Sequence, residues 1–402
     1  MKLLFSTATI LLFSSNASFA SANIRGASSE EEGRDLAGLV DIIVQLNDDA
    51  EAGASGFPPG FEVAAEKRSR AAAVAQGLGL SAKYTYGATI YGFSAKKVPE
   101  ARLKSISENP LVKSVEIDGT IMLDPSEQDA RRKLPRGGNG GGGGGGDNTV
   151  PERTPWGIDR VGSGGPVEGR ACVIDTGIDM TNRDLNVASD CFTAFTKGRD
   201  AGCGDGNGHG THVAGTIAAI DNDIDVVGVA PGATVVAIKV LDSRGSGSYS
   251  GVIDGIEWAA GLGRCDVVNM SLGGGASNSV DNAVKQLAAA GVKVALAAGN
   301  ESQDANNFSP ARADGENIYT VSAFDESGDF AWFSNFGTAV DIAAPGVAVE
   351  SLRVGGGTVE YSGTSMAAPH IAGILMYSDL NCLDGVVRND PDGDADAIAV
   401  MC

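Results

Sequence analysis

The sequence predicts an α/β fold, a mainly parallel twisted sheet with helices on both faces, preceded by a small α+β unit of ferredoxin-like order. Three observations predict it. From Thr154 onward, short apolar runs that read as buried parallel strands alternate with amphipathic helical stretches. Residues 39–123 carry a β-α-β-β-α-β order of their own. Between the two, residues 124–150 hold Arg131, Arg132, Lys133 and Arg136 and then seven consecutive glycines, 140–146. Such a run cannot hold one conformation and reads as a flexible linker.

Each element follows in order. Val40 to Leu46 reads as a strand, and Phe61 to Gly77, rich in Ala and charge, as a helix. Tyr84 to Val98 alternates and is interrupted by Gly87 and Gly92, which predicts a hairpin or two strands. Pro99 opens a helix that runs to Glu108. Val112 to Leu123 is a further strand region. The glycine run is not a phosphate loop, because neither a strand precedes it nor a helix follows it. In the second part, Ala171 to Ile174 is a buried strand that ends at Asp175. Val235 to Leu241, Val267 to Leu272, Val292 to Ala297, Ile318 to Ala323 and Val340 to Ala343 repeat the type. Val280, Ala283, Val284, Leu287 and Ala288 fall at helical spacing, as do Val252, Ile256, Ala259 and Ala260. Ligands of such sheets sit beyond the strand C-termini. Asp175, Ser271 and Asn300 fall there.

Composition narrows the function. The chain has 402 residues, with 30 Lys plus Arg against 51 Asp plus Glu, for a net charge of −21. That acidity repels phosphate backbones and anionic lipid, so nucleic-acid and membrane partners are disfavoured. Lys2, the apolar run Leu3 to Phe13 and the small residues Ser18, Ala20 and Ala22 read as a signal peptide over residues 1–20, and hence as secretion. In an oxidising compartment the six cysteines read as disulfides. Three histidines occur, so any imidazole chemistry falls to His209, His212 or His370.

Three blocks carry chemistry: Val173 to Asp179, Asp205 to Thr216, and Ser362 to His370. Acyl transfer needs a nucleophile, a base and a carboxylate that fixes the tautomer of the base. The blocks offer Ser365, His209 and Asp175. An aspartic protease would need a second Asp-Thr-Gly, and a zinc site would need a third ligand block beside His209 and His212; both are missing. His370 reads as structural.

These blocks resemble those of the subtilisin-like serine proteases, most closely the proteinase K branch. Pro155 to Gly157, Val240 to Asp242, Gly245 to Gly247, Met270 to Gly275, Ala297 to Asn300 and Phe333 to Gly337 extend the resemblance over about residues 154–379. Residues 39–123, with Gly92 to Ala95, resemble the inhibitory propeptide of that family. The resemblance implies a serine endopeptidase with the triad Asp175, His209 and Ser365 and the oxyanion donor Asn300. The peptidase domain would span 151–402. Polypeptide substrates would lie between Gly245, Ser246 and Gly247 on one side and Ser271, Leu272, Gly273 and Gly274 on the other. The small residues Gly273, Gly274, Ala298 and Gly299, with no Asp or Glu among these segments, read as a roomy pocket for a large apolar or aromatic P1 residue. No catalytic cofactor is implied, and a monomer is expected. A structural Ca²⁺ would be held by Asp341 and by the backbone near Glu316 and Ile318, since oxygen ligands suit that ion.

The family topology also pairs Cys172 with Cys265. Cys191 and Cys203 would close a loop just before His209, and Cys382 and Cys402 are left for each other. The tail departs from the family pattern. Its Asp390, Asp392, Asp394 and Asp396 read as solvated acid or as a weak calcium loop. A secreted inhibitor or a binding protein on a dead protease fold are the other classes. The complete triad and Asn300 argue against the dead fold.

Overall fold

The computed structural model describes residues 38–47, 61–123, 149–261 and 264–402. The expected signal peptide (1–20), and all but the last two residues of the expected linker (124–150), lie outside the described residues. Two compact units divide between Asp118 and Gly119.

In the first unit the strands Leu39–Leu46, Ala82–Tyr86, Gly92–Pro99 and Val112–Ile117 form one antiparallel sheet with Leu39–Leu46 and Gly92–Pro99 in the middle. The helix Phe61–Gly77 covers it, with Ala71 and Ala75 buried against Ile42, Val44 and Phe93. Small residues on that helix face let it lie close to the sheet, while Glu66 and Arg70 are exposed. The expected helix from Pro99 is a single 3₁₀ turn, Glu100–Arg102, followed by the short helix Leu103–Ser107. The strand region Val112 to Leu123 is two strands. It breaks at Asp118 and Gly119, and Thr120–Met122 belongs to the second unit.

The second unit is built on a ten-stranded sheet. The strands Thr234–Lys239, Arg170–Asp175, Val267–Met270, Lys293–Ala297, Ile318–Phe324 and Ile342–Pro345 lie side by side and parallel. Period two and burial on both faces explain their unbroken apolar sequences. In Arg170–Asp175, Ala171 and Val173 join the core made with the helices His209–Ala218 and Thr364–Leu375, while Cys172 and Ile174 are as deeply buried outside that cluster. The helices Tyr249–Ala259 and Asn278–Ala289 form a second packed pair. Ser248 and Ser277 cap them, each accepting a backbone N–H three residues on. The strand expected from Val340 starts two residues later, at Ile342.

The tail is part of this sheet. Ala397–Ala399 pairs parallel with Ile342–Pro345, and Leu383–Val386 adds an antiparallel edge strand. The reading of its acid as solvated holds for Asp392 and Asp394. Asp396 turns inward to accept a hydrogen bond from Ser322 Oγ, and burial pushes its carboxyl up to about 7. The disulfides are Cys172–Cys265, Cys191–Cys203 and Cys382–Cys402.

Candidate active site

Asp175, His209 and Ser365 come from three separate places and are all buried, at 0, 3 and 4 % exposure. Asp175 is the last residue of its strand, where the sheet opens toward ligand. His209 is the first residue of the helix His209–Ala218. That helix starts abruptly because Gly208 takes φ 110°, which L side chains rarely adopt. Gly210 permits the close approach to the strand, since a Cβ there would lie 2.1 Å from Gly177 O and 3.2 Å from Asp175 Cβ. His209 Nδ1 consequently stands 2.9 Å from both Asp175 oxygens. A ring N–H held by a carboxylate fixes the tautomer, leaving Nε2 as the basic nitrogen.

Ser365 sits in the first turn of Thr364–Leu375, where helix N–H groups favour negative charge. Ser271 clasps it from the adjoining strand end. Ser271 Oγ donates to Ser365 O at 2.7 Å, and Ser365 Oγ donates to Ser271 O at 3.4 Å. Asn300 follows the strand Lys293–Ala297. Its Oδ1 accepts the Thr364 N–H at 2.8 Å and the Thr364 hydroxyl at 3.0 Å, which fixes the side-chain amide beside Ser365.

A cavity of about 440 Å³ adjoins these groups, lined by Leu272, Gly273, Gly299, Asn300, Glu301 and Ser365. Gly274 and Ala297 line it too. Glu301 corrects the expectation of an acid-free pocket. Its Oε2 accepts Asn335 Nδ2 at 2.7 Å. The sequence blocks hid this because Glu301 lies one residue beyond the matched Ala297 to Asn300 run. The strand Thr120–Met122 lies on the other wall, antiparallel to Ser246–Ser248, and Met122 N–H donates to Gly273 O at 3.3 Å. Leu123 N–H donates to Gly245 O at 2.9 Å. Leu272, Gly273 and Gly274 thus line the cavity, Gly245, Ser246 and Gly247 flank the segment Ile121 to Leu123, and Ser271 lies against Ser365.

Two supporting residues were not singled out in the sequence. Asp205 accepts from Thr176 Oγ1, from the N–H groups of Asn207, Gly208 and Thr211, and from Thr211 Oγ1, and so ties the turn before His209 to the strand end. Asn335 Oδ1 accepts the N–H groups of Glu301 and Gln303 and shapes the loop after Asn300. Both signals lie in backbone contacts that no residue pattern displays.

The other histidines are structural. His212 donates from Nε2 to Val349 O at 3.0 Å and stacks on Tyr361, with ring centroids 4.6 Å apart. His370 Nδ1 donates to Met366 O. Desolvation pushes His212 down to about 3 and His370 down to about 4. An unfolded imidazole titrates near ~6.5. Because both folded values lie below it, the unfolded chain takes up two protons that the fold refuses. Stability should fall by about 1.4 kcal/mol per pH unit per histidine as pH drops from ~6.5 toward ~4, and be unaffected above. NMR titration of Ser365→Ala protein checks this: neither ring should titrate above pH ~5, and a midpoint near ~6.5 for either would contradict it.

Among the described residues no group of three or more His, Cys, Asp or Glu is arranged to hold a metal. Asp341 is exposed, its Oδ2 accepts the Thr320 N–H at 2.8 Å, and Asp314 adds negative charge nearby. Glu316 is exposed and Ile318 opens its strand. No described helix is long and apolar enough to cross a membrane.

Residues 170–378 match the subtilase family. The chain is 37% identical to subtilisin-like protease 6 of Arthroderma benhamiae over 346 residues, 80% of this chain and 76% of that protein. It is 45% identical to subtilisin NAT of Bacillus subtilis subsp. natto over 208 residues, 51% of this chain and 53% of that one. Among solved structures, a cold adapted subtilisin-like serine proteinase superposes with TM-score 0.54 at 33% identity, over 64% of this chain and 99% of that one.

Proposed function

The chain belongs to the subtilase family of serine endopeptidases, and from that premise we propose that it is a secreted enzyme made as a self-processing zymogen, with Asp175, His209 and Ser365 as its catalytic triad. The observation that supports the triad is the buried His209–Asp175 pair, 2.9 Å at Nδ1, together with the buried Ser365 at a helix start. Ser365 Oγ attacks the scissile carbonyl while His209 Nε2 takes its proton. Asp175 holds the imidazolium that forms. Asn300 Nδ2 and the Ser365 N–H receive the oxyanion, and a donor of this kind is worth about 100- to 1,000-fold in turnover. The His209 proton then passes to the leaving amine, and water repeats the sequence on the acyl-enzyme. A fluorophosphonate probe should label Ser365 in the mature enzyme; absence of labelling would overturn the assignment.

Residues 39–123 are read as the propeptide. The strand Thr120–Met122 supports this, because it occupies the backbone groups of Ser246–Ser248 and Gly273 that an extended substrate would use. Residues 124–150 hold the maturation cleavage, by the enzyme itself rather than by a dibasic-specific convertase. The processed enzyme acts as a monomer.

At P1 the reading is a large apolar or aromatic residue, supported by the glycine-rich walls around the cavity. Glu301 sharpens it, since a carboxylate there repels acidic P1 side chains. A peptide with Phe at P1 should be cleaved at least about tenfold faster than the same peptide with Asp. Equal rates would remove the pocket assignment.

A structural Ca²⁺ at Asp341, with carbonyls of Glu316 and Ile318, completes the proposal. Its support is the acidic side chain of Asp341 with the negative charge of Asp314 close by. The ion would supply charge and cross-linking, not chemistry. Chelation should lower the melting temperature of the wild-type protein and leave Asp341→Asn unaffected. An unchanged wild-type melting temperature would exclude the site.

A further inference from the structure

Lys239 closes the apolar strand Thr234–Lys239 and is 0 % exposed. The parallel register sets it opposite Asp175. Its Nζ donates to Thr176 O and, at 2.9 Å, to Leu241 O, and stands 5.6 Å from the centroid of the Phe195 ring. An ammonium whose donors go to carbonyls has given up its hydration without a contact ion pair, which is unfavourable in itself. An apolar side chain would continue the strand without that penalty. What distinguishes the position is its surroundings: the carboxylates of Asp205, Asp200, Asp175 and Asp242 all act on the Lys239 charge, against the desolvation that pushes its ammonium down.

Thr176 is the junction between this lysine and the site. Its N–H donates to Asp175 Oδ1 at 2.6 Å. Its Oγ1 donates to Asp205 Oδ1 at 2.9 Å and accepts the Gly210 N–H at 3.0 Å. Its carbonyl accepts Lys239 Nζ. One residue thus joins the carboxylate, the turn before His209, the His209 helix and the buried cation.

We propose that Lys239 is a positioning residue of the triad: its ammonium anchors the Thr176 and Leu241 carbonyls beneath Asp175 and offsets the acidic groups gathered around the His209–Asp175 pair. The inference rests on reading Asp175, His209 and Ser365 as the triad. The charged and titratable groups around His209 are Asp175 on the strand end, Asp205 in the preceding turn and His212 on its own helix. Those acting through Lys239 are Asp242 in the turn after its strand, paired with Arg244 at 3.1 Å, and Asp200 in the loop closed by Cys191–Cys203, 3.5 Å from Arg199. Without the cation, this excess of acid holds the imidazolium more tightly. His209 then keeps its proton over more of the neutral range, so less free base is available to act on Ser365, and its imidazolium is a weaker acid toward the leaving amine.

The test is the pH profile of kcat/KM on a chromogenic peptide, for mature wild type, Lys239→Met, Lys239→Gln and Asp200→Asn. Gln keeps a hydrogen-bond donor without the charge. Both Lys239 variants should move the acidic limb to higher pH by about one unit. They should also lower kcat about tenfold or more, with KM changed far less. Asp200→Asn removes an acid instead and should move the limb to lower pH. A merely structural role would lower activity without opposite shifts. An unmoved limb in a folded Lys239 variant, or a shift of the same sign in Asp200→Asn, overturns the proposal. If neither Lys239 variant folds, Asp200→Asn decides alone, and an unmoved limb there counts against it. Failure of the triad reading is separately visible as full activity in Ser365→Ala.

Discussion

Ser365→Ala should lower kcat by about 10⁵- to 10⁶-fold, leaving only what the oxyanion donors and substrate binding supply. The hydroxyl oxygen is the bond-forming atom; its removal forfeits the 3.4 Å bond to Ser271 O but leaves Ser271 Oγ on Ser365 O at 2.7 Å. The variant should therefore fold and, once its N-terminal region has been removed by an added protease, bind peptides while failing to cut them. It should also fail to release its own N-terminal region when made in a host without dibasic-specific convertases. N-terminal sequencing of the purified protein reads this directly. A new terminus within 124–150 in Ser365→Ala would show that another protease does the processing, while leaving the turnover assignment to stand on kinetics. Turnover within tenfold of wild type would instead overturn the nucleophile.

Asp175→Asn should cost about 10⁴-fold in kcat with little change in fold. Asp175 is completely buried and offers His209 Nδ1 two acceptor oxygens at 2.9 Å. An amide of the same shape replaces one acceptor by a donor. The imidazole is then free to turn its proton toward Ser365, and the imidazolium loses its counter-charge. KM should move far less than kcat, since Asp175 does not line the groove around Gly245 and Gly273. A loss below about tenfold would mean that His209 is oriented by other partners, with Asp175 a structural strand end. Measurement of kcat and KM separately, on folded protein, distinguishes these.

Local chemistry and local period were legible in the sequence. The helix Phe61–Gly77 is legible from its Ala-rich, charged content, and the helix Asn278–Ala289 from Val280, Ala283, Val284, Leu287 and Ala288, because a face repeating every 3.6 residues is written in neighbouring positions. The strand ending at Asp175 was equally plain, since burial on both faces leaves an unbroken apolar run. Asp175, His209 and Ser365 were recognisable because each lies in a short block whose glycines and small residues serve a turn or a close approach, as Gly208 and Gly210 do. Resemblance, not spacing, chose the Cys172–Cys265 pair among the open connectivities.

Tertiary structure decided what depends on partners far away in the chain. Thr120–Met122 reads as the end of one strand with Val112–Ile117, yet it pairs with Ser246–Ser248, because an extended segment carries backbone donors and acceptors that fit any open edge. The acidic tail reads as solvated, yet Ala397–Ala399 completes the central sheet and draws Asp396 in to Ser322. Glu301 lies one residue past the matched run Ala297 to Asn300, yet Asn335 holds it at the cavity. Lys239 falls within the run Val235 to Leu241 that reads as a buried strand, yet the parallel register sets its charge opposite Asp175, within reach of the carbonyl that follows. In each case residue type and short-range period were compatible with several environments. Only the folding of distant segments into one place supplied the hydrogen-bond partners and the charges that select among them.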